Sequence, residues 1–308
     1  MSSHSEILLF RFSQPDSWFA RQGSDYLENQ CATRQGRCDY TPQIRDQYLI
    51  YTDKSVEAFS DSACRQKCTQ ERDFNCRSYS YLSETRPGTT QCLLSGDTQQ
   101  SAGGNAFQLA TGALYAEKDC TDRTPRPVGG SSQQFGQFNR PEILDNLPQV
   151  LGSGAEEDDR LPGYTPDSSP QDCRADGLVE AYEKVVDFTY SRGGREELTT
   201  DIDIGIAGEC LSQCTQQGAN CLAVTLLNER GGRQRCFSLA SSALADQADL
   251  ESSTGVTYYE KVCSRRTCSK AWSFTRVPRY EFVGVANEVA RDVRSLSACR
   301  ELCLGASG

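Results

Sequence analysis

Residues 62–76 read "SACRQKCTQERDFNC". Far downstream, "GECLSQCTQQGANC" spans 208–221 and "SACRELC" spans 297–303. Each holds two cysteines at i and i+4, and the first two stretches run on through Thr-Gln to Asn-Cys. Cysteines one helical turn apart project from one helix face. The pattern therefore asks for a helix pinned to a neighbouring layer, a metal knuckle or a redox pair.

The surrounding cysteines decide the organisation, because the spacing repeats. From Cys64 they fall at 64, 68, 76, 92 and 120, with 3, 7, 15 and 27 residues between. From Cys210 they fall at 210, 214, 221, 236 and 263, with 3, 6, 14 and 26 between. Each set follows another cysteine, Cys38 or Cys173, and closes on a related segment, "GALYAEKDC" or "GVTYYEKVC". Cys31 ends "SDYLENQC", which has the same Tyr-x-Glu-x-x-Cys close, while Cys268, Cys299 and Cys303 fit the first three cysteines of a unit. The expected layout is a remnant of a preceding unit at 1–31, whole units at 38–120 and 173–263 with a linker at 121–172 between them, and a truncated unit at 268–308. Cys31, Cys268, Cys299 and Cys303 are then expected to be unpaired within this chain. The chain reads as a piece of a longer secreted protein.

Composition agrees with small stapled units. The 308 residues include 16 cysteines and a single histidine, His4; the net charge is −10, the pI about 4.8 and the mean hydropathy −0.58. Such an acidic chain is a poor nucleic-acid binder, since phosphate contacts need a basic surface. Small cores of modest apolar content usually need covalent staples, and thiols at repeating spacings read as disulfides of an oxidising, extracellular setting. "MSSHSEILLFRFSQPDSW" lacks a basic n-region and a cleavage site, so it is not a signal peptide; truncation is the expected reason. No 18-residue apolar run suggests a membrane span. Residues 121–172 hold seven of the eleven prolines and a net charge of −5, which reads as a flexible, disordered acidic linker. "EILDNLPQVL" within it is expected to collapse only locally.

Within a unit, the Cys-x3-Cys helix is capped by Asp61 or Ser62, and in the third copy by Ser295 or Ser297. A strand follows: "CRSYSYL" and "CLAVTLL" align with small residues on one face and large ones on the other. Turns at Pro87-Gly88 and Gly231-Gly232 lead to a second strand from Cys92 or Cys236, and the closing segment is a third. The fold class is α+β, with one helix on a small antiparallel sheet.

This arrangement of a Cys-x3-Cys helix, a cysteine opening a strand, a hairpin cysteine and an enclosing first-to-last pair resembles the PAN/apple domain family. The resemblance implies tandem small disulfide-rich modules with bridges Cys38–Cys120, Cys64–Cys92, Cys68–Cys76, Cys173–Cys263, Cys210–Cys236 and Cys214–Cys221. Spacing alone leaves 15 pairings open per unit. Tandem units beside acidic linkers also look like the N-terminal part of arthropod and nematode PAN–zona pellucida proteins of the apical extracellular matrix and cuticle.

Competing chemistries are weaker. A zinc site would show paired short knuckles, where Cys64, Cys68, Cys76 and Cys92 offer one. Redox catalysis would use Cys-x-x-Cys. Nucleophilic hydrolysis needs a base, and the sole histidine lies in a broken unit. Asp201/Asp203 and Glu156/Glu157 read as solvated loop charges, and "TDIDIG" lacks the ligand spacing of a calcium loop. "SRRTC" (264–268) is a dibasic connector or a processing site. Arg77, Tyr79 and Tyr81 read as packing against the helix rather than as a ligand face. No standard N-glycosylation sequon is present.

The expected function is non-catalytic: an extracellular adhesion or structural protein whose modules bind proteins or matrix polysaccharide, with no cofactor, metal, nucleic-acid partner or membrane contact from this segment. The linker, spanning about 40 Å on average, would let the modules engage separate partners with avidity. A regulatory arm of a secreted serine protease and a cytosolic cysteine-rich metal protein are the alternatives.

Overall fold

The computed structural model describes residues 6–9, 18–31, 38–86, 89–102, 106–120, 173, 177–192, 194–198, 207–229, 234–282, 288–291 and 295–305. The linker 121–172, His4, Asp201/Asp203, Glu156/Glu157 and both expected hairpin turns lie outside the described residues. The N-terminal segment gives β1 (Glu6–Leu9) and β2 (Trp18–Asn29). The first module follows as β3 (Asp39–Tyr40), β4 (Ile44–Leu49), β5 (Lys54–Glu57), α1 (Asp61–Gln70), β6 (Ser78–Arg86), β7 (Thr89–Ser95), α2 (Gln99–Ala102) and β8 (Phe107–Asp119). The second has β9 (Val179–Thr189), β10 (Arg195–Leu198), α3 (Ala207–Gln216), β11 (Ala223–Asn228), β12 (Gln234–Leu239) and β13 (Glu251–Ser264). The C-terminal segment gives β14 (Phe274–Phe282), β15 (Glu288–Arg291) and α4 (Leu296–Gly305).

Local chemistry explains the helix. Ser60, in extended conformation (φ −159°, ψ 160°), accepts a hydrogen bond from the Ala63 N–H, and Asp61 complements the first turn. Sequence reading put the cap at Asp61 or Ser62. The structure uses Ser60, because Asp61 lies in the first turn and its carboxylate is taken by the Tyr79 hydroxyl and the Gln43 amide. In α4 the cap is Ser295, whose Oγ accepts from the Ala298 N–H. Cys64 and Cys68 are the buried face of α1, as Cys210 and Cys214 are of α3. They are bridged to Cys92 and Cys76, and to Cys236 and Cys221. Cys38–Cys120 and Cys173–Cys263 close the two modules.

The modules share one topology. In the first, β6 pairs with β7 and β8, β7 with β5, and β8 with β4. In the second, β11 pairs with β12 and β13, β12 with β10, and β13 with β9. Strands that precede each helix, β4 and β5 in the first module and β9 and β10 in the second, extend the three-strand sheet read from the sequence, and the short β3 also pairs with β8.

Cys31 and Cys268, expected to be unpaired, form a disulfide across a sequence separation of 237. The repeat supplies the reason. Cys31 has the position of a module's last cysteine and Cys268 that of its first, and those two pair in both complete modules. The terminal segments complement each other in strands too: β14 pairs antiparallel with β2, and β15 with β1. β14 also runs parallel to β9, so the second module's sheet continues through β14 and β2.

Candidate functional site

The strand β9, "VEAYEKVVDFT", carries consecutive charges, Glu183 and Lys184. Strand alternation sends them to opposite faces. Both are enclosed, Glu183 at 0% and Lys184 at 1% exposure. A sheet with one wet face would leave one of them in water. Here each face is covered by a different neighbour.

Lys184 points toward the first module. Its Nζ donates to Asp53 Oδ1 at 2.7 Å, Asp53 Oδ2 at 2.8 Å and Asp97 Oδ2 at 2.6 Å, which uses all three ammonium hydrogens. It also lies 4.8 Å from the centroid of the Trp272 ring. Asp53 accepts further bonds from the Gly96 N–H at 2.7 Å and the Tyr259 hydroxyl at 3.0 Å. A Cβ at Gly96 would meet Asp53 Oδ2 and the Trp272 ring, each at 3.3 Å, so the close approach needs glycine. Burial raises the Asp53 carboxyl above its ordinary range, with Asp97 adding repulsion and Lys184 opposing. Burial lowers Lys184, but the two carboxylates outweigh it and leave the ammonium raised.

The backbone extends this junction. The Ala207 N–H donates to the Asp53 carbonyl at 3.0 Å, and the Gln234 amide donates to the Thr52 carbonyl. The Tyr51 hydroxyl donates to Asp187 and accepts from the Gly255 N–H. Phe74 stacks on Trp272 at 5.3 Å. One continuous core runs from Cys64, Phe74 and Tyr79 of the first module to Tyr182, Leu211 and Tyr259 of the second. The modules therefore dock directly instead of hanging apart on a tether.

Glu183 points to the terminal segments. Arg300 of α4 reaches its Oε2 at 2.8 Å, and Arg276 of β14 pairs with its Oε1. Glu260 lies on the same face, beside Arg276. Burial alone would raise Glu183; Arg300 and Arg276 outweigh it and hold the carboxyl below its usual range. Glu260 is raised by burial, aided by the charge of Glu183, against the pull of Arg276.

These perturbed groups are buried, and their ion pairs tie the second module to the first module and to the terminal segments. Among the described residues no group of three or more His, Cys, Asp or Glu could hold a metal ion, and no helix is long and apolar enough to cross a membrane. A cavity of about 290 Å³ lies between β9, α3 and residues 267–273, lined in part by Tyr182, Thr215 and Lys270. Of its lining groups, the Tyr182 hydroxyl bonds the Leu211 carbonyl and Thr215, Lys270 donates to the Arg72 carbonyl, and Glu180 Oε2 lies 3.7 Å from Lys261 Nζ without a hydrogen-bond partner.

The residues singled out from sequence fall as follows. Tyr79 is buried beneath α1, Tyr81 packs beside the same core, and Arg77 is a buried partner of Glu28 at 2.7 Å. Arg265 and Arg266 form an exposed bend whose N–H groups bond Glu301 and Ser264. Sequence reading missed Asp53, Asp97, Glu183 and Lys184. The signal for the last two was a charged doublet inside an otherwise strand-like run.

A PAN domain model matches residues 38–120 and 180–263, the two complete modules. The chain belongs to the PAN domain family. Comparison with curated proteins returned no match. PAN domains bind proteins or carbohydrates and are not catalytic in themselves. Two such modules with this density of disulfides point to an extracellular protein.

Proposed function

We propose that this chain is a non-catalytic adhesion or structural protein of an apical extracellular matrix, in which docked PAN modules present one rigid surface to protein partners. The observation that supports this most is the junction at Lys184, Asp53 and Asp97. A buried ion cluster reinforced by a shared core fixes the relative orientation of two modules, so contacts from both reach a partner without an ordering cost at binding. Phe59 and Leu109 of the first module, 90% and 84% exposed, are the apolar side chains best placed to anchor such a partner. The layout of the described disulfides belongs to the same reading.

The test is binding of the purified chain to isolated matrix proteins and, in parallel, to a panel of matrix polysaccharides. F59S and L109S should weaken protein binding with the thermal transition unchanged. Binding confined to the polysaccharides, or insensitive to both changes, would overturn the protein-partner reading.

A further inference from the structure

The junction between the modules holds a primary amine and two carboxylates in contact and out of water: Lys184, Asp53 and Asp97 are all buried. Their backbones are fixed. The Asp53 N–H donates to the Leu94 carbonyl at 2.9 Å, and its own carbonyl accepts from Ala207. The Asp97 N–H donates to Ser95 Oγ at 3.0 Å, and its carbonyl accepts from the Ser78 hydroxyl at 2.7 Å. Lys184 stands in β9, paired on one side with β13 and on the other with β14. Trp272 lies over Nζ, and Phe74 and Tyr259 pack on Trp272 with ring centroids at 5.3 and 5.7 Å.

The two carboxylates are not equivalent. Asp53 meets Nζ through both oxygens, and each oxygen has a second donor: the Tyr259 hydroxyl on Oδ1 and the Gly96 N–H on Oδ2. Asp97 meets Nζ through Oδ2 at 2.6 Å, while its Oδ1 accepts from the Ser101 hydroxyl at 3.3 Å. One carboxyl is polarised by donors; the other offers an oxygen to the amine.

We propose that this cluster is a self-acylation centre: Lys184 condenses with the Asp53 carboxyl, Asp97 carries the proton, and an isopeptide bond joins the two modules. At rest the carboxylates keep Lys184 an ammonium, so the step needs a base in contact with Nζ. Asp97 Oδ2 takes one proton and leaves a neutral amine, which attacks Asp53 Cγ. The N–C bond forms, and the charge that collects on the Asp53 oxygens meets the Gly96 N–H and the Tyr259 O–H. A second proton from nitrogen and the one held by Asp97 pass to the same Asp53 oxygen. The C–O bond breaks and water leaves. The three ammonium hydrogens end as one on the amide nitrogen and two on the water. Asp97 is a carboxylate again, the charge of the cluster is unchanged, and no co-reactant is consumed.

In water, solvation of the two ions opposes this condensation. Burial removes that solvation, contact between the groups supplies a high effective concentration, and the aromatic cover keeps out water that would reverse the step. Burial also raises the Asp53 carboxyl, which favours the protonated form that can lose its oxygen. The bond would tie residues 131 apart in sequence and, unlike the disulfides, would resist reductants. Chains that have not condensed keep the junction closed by the ion cluster alone, so the docked-surface reading stands whether or not the bond forms.

The experiment is the intact mass of the whole chain, incubated folded and then fully reduced, alkylated and denatured. It should fall short of the sequence mass by one water, and protease digestion should yield a branched peptide joining Asp53 to Lys184. K184R, which keeps a cation but has no primary amine, and D97N should retain the full mass, with Trp272 fluorescence as the check on folding. The wild-type mass decides the matter even where a variant fails to fold. A folded wild-type chain of full mass, a branch at Asp97 in place of Asp53, or a folded D97N chain that loses water to the same extent would overturn the proposal.

Discussion

Replacing Lys184 by methionine tests the module junction directly. The substitution keeps most of the side chain's volume and removes the charge that holds two carboxylates. Asp53 and Asp97, 3% and 1% exposed, would remain buried with no cation between them. At 2.6–2.8 Å each ion pair has a gross attraction of about 6 kcal/mol for an effective dielectric near 20. Desolvation cancels much of this. Removing one partner from a buried pair is costly nonetheless, about 3–5 kcal/mol, because the remaining charge is stranded. For a body of this size that corresponds to a fall of roughly 6–20 °C in the transition temperature. Trp272 is a local reporter, since it is buried against both Lys184 and Phe74. Thermal and urea unfolding followed by its fluorescence should show the loss. Adding Asp53→Asn and Asp97→Asn to K184M should recover most of it, since no charge is then left buried. A K184M loss below about 1 kcal/mol, or a triple variant no better than K184M alone, would refute the reasoning.

Other outcomes follow from the same geometry. Because Glu183 is held below its ordinary carboxyl range, its contribution is present above the unfolded value of about 4.3 and is lost as pH falls through the lower folded value. Hydrogen exchange of α4 should therefore accelerate below about pH 4, and R300M should abolish that acid dependence. Gly96→Ala should destabilise the junction by about 1–3 kcal/mol, read by Trp272, because the added methyl is wedged between a buried carboxylate and an indole. Ser60→Ala should cost about 1 kcal/mol by loss of the α1 cap, whereas Ser62→Ala should cost much less. Non-reducing peptide mapping should recover a crosslinked pair containing Cys31 and Cys268, alongside the six bridges within modules.

The internal architecture of a module was legible in the sequence because two copies could be aligned. Cys64 and Cys68 marked the helix, and the alternation after Cys76 and Cys221 marked the central strand. Assembly between modules was not legible. Period-2 patterning says that a residue faces one side of a sheet, not what covers that side, so Glu183 and Lys184 read as ordinary polar positions. Asp53 and Asp97 sit in connections between strands, where acidic residues usually meet water. Cys31 and Cys268 carried enough information to be matched as last and first cysteines of one module. Assigning them to different modules followed from their order along the chain, and β2 against β14 reverses that assignment.

The Cys31–Cys268 bridge closes the chain between these residues into a covalent ring that contains both complete modules and the linker between them. Tension entering upstream of Cys31 and leaving downstream of Cys268 passes through the two sulfurs and bypasses the interior of the ring. Stretching would extend only the terminal segments, while the two PAN modules stay slack. Reduction of that one bond would place the whole enclosed length in the force path. The molecule's extensibility is thus governed by a single redox-sensitive crosslink.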